Sequence, residues 1–208
     1  MEHKESPDHY DAKYDSKRRF VSYWYQIGEV LKCKPARVLE IGIGNNFVAR
    51  YLREKGLDVT TVDHDERLHP DVVADIRSLP FEDRVFDVVT AYEVIEHLEY
   101  KDFPSVLKEL ARVSSKKVII SLPDATRVGR IEFPIPGVTK IQLLVTVPLF
   151  PRSHSFTKGG HFWEIGKKDY PLSRVLQTMK DSGLILESTY RVYENPHHRF
   201  FVLKRDTN

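Results

Sequence analysis

The chain has 208 residues, 41% hydrophobic and 11% aromatic, with 32 Lys plus Arg against 30 Asp plus Glu for a formal net charge of +2. A chain of this length forms one domain that buries roughly 70% of its unfolded surface, and its aromatic content excludes a disordered polypeptide. The near balance of charge excludes a polycation that captures nucleic acid or anionic membrane indiscriminately. The single cysteine, Cys33, excludes an internal disulfide and any zinc site built on paired cysteines.

The polar opening residues lack the apolar stretch of an export signal. The longest apolar-leaning run, Ile141 to Phe150, is interrupted by Pro148 and is half of the ~20 residues a bilayer span needs. The expectation is a soluble, cytoplasmic protein without a membrane span.

Residues 14–32 place Phe20, Val21, Tyr23, Trp24, Ile27, Val30 and Leu31 at steps of three and four, which predicts a helix stopped by Pro35. Arg37 to Gly42 is a short apolar run breaking into glycine, a buried strand feeding a loop. Phe47, Val48, Tyr51 and Leu52 mark one face of a helix that ends at Gly56. The β-branched run 58–63 predicts a second strand, 71–75 a third and 86–92 a fourth. Residues 94–98 and 103–113 predict helix, and 117–122 a fifth strand. A helix over 170–181, capped by Gly183, precedes two strands at 184–193 and 199–204. Their join, Glu194-Asn195-Pro196, is too short for a crossover helix, so they form an antiparallel hairpin. This alternation predicts an α/β fold with a doubly wound, mostly parallel sheet.

Residues 124–165 break the alternation, with Pro134, Pro136, Pro148 and Pro151 interleaved with Gly129, Gly137, Gly159, Gly160 and many apolar side chains. A long irregular segment inside a compact domain is usually functional, and this one reads as a lid over a substrate, with a dimer surface as the alternative. The single domain then divides into an N-terminal helical cover (1–35), a core (36–123), the lid insertion (124–165) and a C-terminal helix with its hairpin (166–208).

The strongest motif is Glu40-Ile41-Gly42-Ile43-Gly44-Asn45-Asn46, at the carboxyl end of the first strand, where open α/β sheets bind ligands. Gly42 and Gly44 allow close backbone approach, and Asn46 tolerates a left-handed turn. The dinucleotide pattern GxGxxG would need glycine where Phe47 stands, which disfavours a pyrophosphate site. Asp63, nineteen residues past Gly44, can accept both hydroxyls of a ribose. Asp75 with Ile76 could hold an exocyclic amine and one face of a base. Taken singly, each acid is also an ordinary turn former.

Together these motifs resemble the class I S-adenosylmethionine-dependent methyltransferases, closely over 36–122 and loosely beyond. Val38 to Gly44 is similar to the family's first motif and Val62-Asp63 to its second. Ala74-Asp75-Ile76 with Leu79-Pro80-Phe81 is similar to its third, and Phe86 to Leu98 to its fourth in the subgroup acting mainly on small molecules. The resemblance implies a Rossmann-like, seven-stranded sheet with one antiparallel C-terminal strand and helices on both faces. It implies S-adenosyl-L-methionine as cofactor, S-adenosyl-L-homocysteine as product, and a small-molecule acceptor rather than nucleic acid. Glu40, Gly42, Gly44 and Asn46 would wrap the methionine part, and Asp63 with His64 the ribose. Asp75 and Ile76 would hold adenine, with Ala91 and Tyr92 near the methionine end. Tyr14 and Arg18 would close over the cofactor, Arg18 on its carboxylate.

Methyl transfer from a sulfonium needs chiefly alignment, and a base only when the acceptor carries a proton. His161, in a Gly160-to-Glu164 segment that resembles one the family places over its substrate, and His97 are the candidates. Glu93 is a weaker one, since at i and i+4 on a helix it would pair with His97. No metal is expected, because HExxH is absent and the histidines form no ligand cluster in sequence. A non-catalytic cofactor-binding module and a nucleic-acid methyltransferase are the alternatives. A homodimer is the assembly envisaged.

Overall fold

Strand β1 (Arg37–Ile41) sends alternate side chains into two separate cores, and this alternation organises the whole molecule. Val38 packs with Val30 of α1 (Lys17–Lys32) and with Val48, Ala49 and Leu52 of α2 (Phe47–Glu54). Leu39 and Ile41 face the opposite core, which contains side chains of α3 (Phe103–Val113) and α4 (Leu172–Asp181). The structure, a computed structural model, describes residues 14–135, 137, 139–147, 150–156 and 160–206.

The remaining strands are β2 (Asp58–Asp63), β3 (Val72–Val73), β4 (Phe86–Tyr92), β5 (Ser114–Pro123), β6 (Val128–Ile135), β7 (Thr139–Thr146), β8 (Leu184–Arg191) and β9 (His198–Arg205). Seven of them form one sheet in the order β3-β2-β1-β4-β5-β9-β8. The first five run parallel, while β9 lies antiparallel to both β5 and β8. The chain steps outward from β1 to β3, then returns to place β4 on the other side of β1. The carboxyl ends of β1 and β4 therefore flank a switch point, where diverging connections leave a crevice.

The sheet is the doubly wound, seven-stranded fold expected, and four local expectations change. The third strand shrinks from 71–75 to Val72–Val73, an edge pair preceded by Pro70. Residues 94–98 form a 3-10 turn at Ile95–His97 rather than an α-helix, followed by another at Tyr100–Asp102. The fifth strand begins three residues earlier, at Ser114. The insertion is not irregular throughout, because β6 and β7 pair as an antiparallel hairpin from Val128↔Thr146 to Ile135↔Thr139. Pro134 fits there because a two-stranded ribbon consists of edges.

The insertion returns to the domain through its last residues. Ile165 bridges Asp124 in parallel, with Ile165 N–H donating to the Pro123 carbonyl and Ala125 N–H to the Ile165 carbonyl. Trp163 is fully buried beside Tyr100, Phe103 and Tyr170, and its indole N–H donates to the Leu98 carbonyl at 3.2 Å. On α1, Tyr23 is buried and stacks on Phe47, whereas Trp24 is 77% exposed, so the aromatic helix is core on one side only. Of the N-terminal cover, residues 1–13 lie outside the described residues. Among the described residues no helix is long and apolar enough to cross a membrane.

Candidate functional site at the carboxyl end of the sheet

The loop after β1 is shaped by three alternate left-handed placements, Gly42 (φ 79°), Gly44 (φ 52°) and Asn46 (φ 58°), the last capping α2. At Gly42 the demand is also steric, since a β-carbon there would lie 2.2 Å from Cγ2 of Val94. Glycine thus brings the loop into contact with the segment that follows β4. Asp63, at the end of β2, fastens the same loop. Its Oδ2 accepts the Ile43 N–H at 3.1 Å and its Oδ1 accepts the Asp65 N–H at 3.0 Å, with His64 Nδ1 3.2 Å away. A carboxylate has about four lone-pair positions, so these bonds leave acceptor capacity over.

A cleft of about 160 Å³ lies above these strand ends. Gly42, Gly44, Asp63, His64, Asp75 and Ile76 line it. Tyr92, Glu93, Val94 and His97, from the end of β4 and the turn after it, line it too. Asp75 is also a turn former, because the Arg77 N–H donates to its Oδ1 and the Arg77 guanidinium grips both oxygens. These hydrogen bonds from Arg77 hold its carboxyl below the ordinary carboxylate range.

Several expected residues stand elsewhere. Arg18 is exposed and away from the cleft, whereas Arg19 lines it, with its guanidinium 4.1 Å over the ring of Tyr14, which also lines it. One step along a helix turns a side chain by about 100°, so these neighbours meet different surroundings. Glu40 and Ala91 are buried beneath the strand ends, and Asn46 shapes the loop without lining the cleft. His161 lies behind His97, the two rings meeting edge to face at 5.2 Å.

Glu40 is the first of several buried acids. Burial pushes its carboxyl up to about 8, and its Oε2 has no hydrogen-bond partner among the described residues. Its folded-state value lies above the unfolded one, so this group costs stability as pH rises from the unfolded carboxylate range through 8. Glu40→Gln is therefore expected to leave the melting temperature near wild type at about pH 4.5 and to raise it by several degrees at pH 9. Paired thermal melts check this, and an equal shift at both pH values would contradict the buried-acid assignment.

Glu93 does not pair with His97. It follows β4 in a left-handed conformation (φ 55°), with Oε1 accepting the Ser121 hydroxyl at 2.9 Å and Oε2 lying 3.6 Å from His198 Nε2. The i, i+4 geometry expected for the pair requires an α-helix, and the chain makes a 3-10 turn there instead. Glu96 is fully buried, and neither of its carboxylate oxygens has a hydrogen-bond partner among the described residues. Burial, reinforced by the charge of Glu93, pushes its carboxyl well above the usual range. His161 Nδ1 is 3.0 Å from Glu164 Oε1, and its Nε2 is 3.9 Å from Glu96 Oε1.

The histidines therefore do belong to a cluster, contrary to the sequence reading. Ligand atoms of Glu96, His97 and His161 all lie within 4.8 Å of one another. Arg19, Asp65, Glu96 and Glu164 join the site without having been expected from spacing. Asp65 alone carried a signal, as an acid two positions past Asp63 that caps the turn at Glu66–Leu68. The others depend on tertiary placement.

Known proteins share this fold. A family profile described as a methyltransferase domain matches residues 39–122, the stretch from β1 to β5 that builds the cleft. Demethylmenaquinone methyltransferase of Thermotoga maritima is 30% identical over 129 residues, 53% of this chain and 56% of the relative, so the chain spans little more than half of that protein's length. A Burkholderia thailandensis 1,6-didemethyltoxoflavin-N1-methyltransferase, solved with 1,6-didemethyltoxoflavin and S-adenosylhomocysteine bound, superposes with a TM-score of 0.61 at 15% identity, covering 97% of this chain and 83% of that one. A SAM-dependent methyltransferase from Aquifex aeolicus gives 0.62 at 16% identity, covering 97% and 100%. The strand order, the glycine loop and the matched core fall on the same residues: residues 39–122 match a methyltransferase domain, and the chain shares the fold of solved S-adenosylmethionine-dependent methyltransferases.

Proposed function

We propose that the chain transfers the methyl group of S-adenosyl-L-methionine to a small-molecule acceptor and releases S-adenosyl-L-homocysteine. The observation that carries this reading is the cleft itself, where the Gly42–Gly44 loop, Asp63 and the Asp75–Ile76 pair line one cavity at the switch point of the sheet. The relatives support it, since one is named for a quinone-type acceptor and another holds a small heterocycle beside S-adenosylhomocysteine.

In this reading the spare lone pairs of Asp63 take the ribose hydroxyls, with His64 alongside, and Ile76 lies against the adenine ring. The backbone of Gly42 and Gly44 borders the methionine part. Tyr14 and Arg19 close the open side, Arg19 taking the role first given to Arg18 on the methionine carboxylate. Tyr92 and His97 form the acceptor end, where the sulfonium methyl and the nucleophile must lie in line; holding that alignment supplies much of the acceleration. For an acceptor that carries a proton, His97 on the wall is the nearest group to take it, with His161 behind.

The insertion acts on the acceptor side. Its tail touches the cleft wall, where the Phe162 N–H donates to the Glu96 carbonyl at 2.8 Å. The hairpin exposes Ile131, Phe133, Ile141 and Leu143, which suits an apolar acceptor. Two measurements test the reading. The first is calorimetric titration with S-adenosylhomocysteine, followed by a metabolite extract incubated with labelled cofactor and searched for a 14-dalton gain. The second uses a chain with 128–158 replaced by a short linker, expected to bind S-adenosylhomocysteine as wild type does and to lose transfer. Absence of any S-adenosylhomocysteine binding by the intact chain would overturn the cofactor assignment, and full transfer by the shortened chain would overturn the role of the insertion.

A further inference from the structure

We propose that Glu96, His97 and His161 form a binding site for a divalent first-row transition cation, of which Mn2+ and Zn2+ are the probes, at the acceptor end of the cleft. Three observations carry it. Glu96 is fully buried, with both carboxylate oxygens lacking a hydrogen-bond partner among the described residues. A buried acceptor of this kind needs either a proton or a cation to compensate it. Next, the ring of His161 is oriented from behind. Its Nδ1 lies 3.0 Å from Glu164 Oε1, and an imidazole nitrogen next to a carboxylate must carry the hydrogen. In the neutral ring this puts the lone pair on Nε2, the atom 3.9 Å from Glu96 Oε1. That 3.9 Å gap is too long for a hydrogen bond and about twice a typical 2.0–2.1 Å metal–ligand distance.

The carboxylate–imidazole pair of Glu164 and His161 is also the usual outer support of a metal-bound histidine, fixing the tautomer and raising ligand basicity. Finally, His97 completes a three-atom set, its ligand atom within 4.8 Å of the other two. Tetrahedral coordination wants ligand atoms roughly 3.3 Å apart, so binding closes the set by about an ångström. His97 is half-buried on a 3-10 turn at the cleft wall, and its ring meets that of His161 edge to face. Two imidazoles with one carboxylate favour Mn, Fe, Co or Zn over the all-oxygen preference of Ca and Mg.

Three protein ligands leave coordination positions open, and His97 lines the cleft, so those positions face the acceptor. On the methyltransferase reading, this replaces His97 as a base. An acceptor hydroxyl bound at an open position loses its proton to solvent more readily, and the resulting oxyanion attacks the methyl group while the sulfur leaves with the S–C electron pair.

The test is binding, independent of turnover. Protein freed of metal by chelator is titrated with MnCl2 or ZnCl2 in a calorimeter, with S-adenosylhomocysteine titrated in parallel. One ion per chain is expected, weakened at least tenfold by His161→Ala and by Glu96→Gln, with S-adenosylhomocysteine affinity kept within twofold. Pulsed electron paramagnetic resonance of Mn2+ on the wild type should show coupling to imidazole nitrogen, which keeps the proposal testable if either variant fails to fold. Absence of saturable binding by both ions, absence of nitrogen coupling, or undiminished binding by the folded variants overturns it. Intact S-adenosylhomocysteine binding without metal binding overturns this proposal alone and leaves the methyltransferase reading standing.

Discussion

Asp63→Ala is expected to weaken S-adenosylhomocysteine binding by about 10- to 150-fold, the equivalent of roughly 1.5–3 kcal/mol for hydrogen bonds to a charged group. The magnitude follows from two tasks that meet in one carboxylate. Asp63 accepts the backbone N–H of Ile43, inside the glycine loop, and of Asp65, at the start of the next turn, so it sets the spacing between the loops after β1 and β2. It is buried yet lines the cleft, so its remaining lone pairs meet the ligand in a partly desolvated setting. Alanine removes both tasks and leaves one or two backbone donors without acceptors, which also costs about 1–3 kcal/mol of stability. Asp63→Asn separates them. Its amide oxygen still accepts one backbone donor, so the loop holds, but its NH2 group presents hydrogens where ribose hydroxyls need an acceptor. A folded Asn variant with weakened ligand affinity and near-normal melting temperature is the expected result. Wild-type affinity in a folded Ala variant, measured by calorimetry, would remove Asp63 from the ribose.

The difference between what was readable in the chain and what was not follows the source of the physical constraint. β1, β2, β4 and β5 were legible because central strands buried on both faces must be continuous apolar runs, such as Val118 to Leu122 with almost no exposed surface. The glycine loop was legible because backbone conformation is written in residue type, and Asn46 does adopt the left-handed turn expected of it. The β6–β7 hairpin was not. No core fixes its register, one face leaves Ile131, Phe133, Ile141 and Leu143 exposed, and its prolines argue for a loop unless the ribbon has only two strands. Glu93 and His97 show the cost of assuming a period, since the i, i+4 pairing vanishes once the turn is 3-10. The Glu96–His97–His161 cluster lay outside any local signal, because 64 residues separate its histidines and only the return of the insertion to the sheet joins them.

That return rests on Trp163, and Trp163→Ala is expected to cost about 3–5 kcal/mol of stability, on the order of 10 °C in melting temperature for a domain of this size. The side chain is fully buried, with ring centroids 4.9 Å from Tyr100 and 5.1 Å from Phe103, so truncation leaves a large cavity lined by rigid aromatic neighbours that collapse poorly into it. It also strands the Leu98 carbonyl that accepts the indole N–H. Trp163→Phe refills most of the volume and loses chiefly that hydrogen bond, so its cost should be nearer 1–2 kcal/mol. Thermal melts of the two variants test the order, and a loss below 1 kcal/mol for Ala would show that the ring is not the anchor. The consequences are expected to be uneven across the molecule. His161 and Glu164 flank the tryptophan, and the Phe162 N–H is bonded to the Glu96 carbonyl, so the acceptor wall loosens first. Asp63 and the Gly42 loop belong to β1 and β2 and share none of those bonds. At a temperature where the Ala variant is still folded, hydrogen exchange should therefore quicken in 160–165 while S-adenosylhomocysteine affinity stays near wild type. Equal loss at both ends would mean that the two halves of the cleft are one cooperative unit.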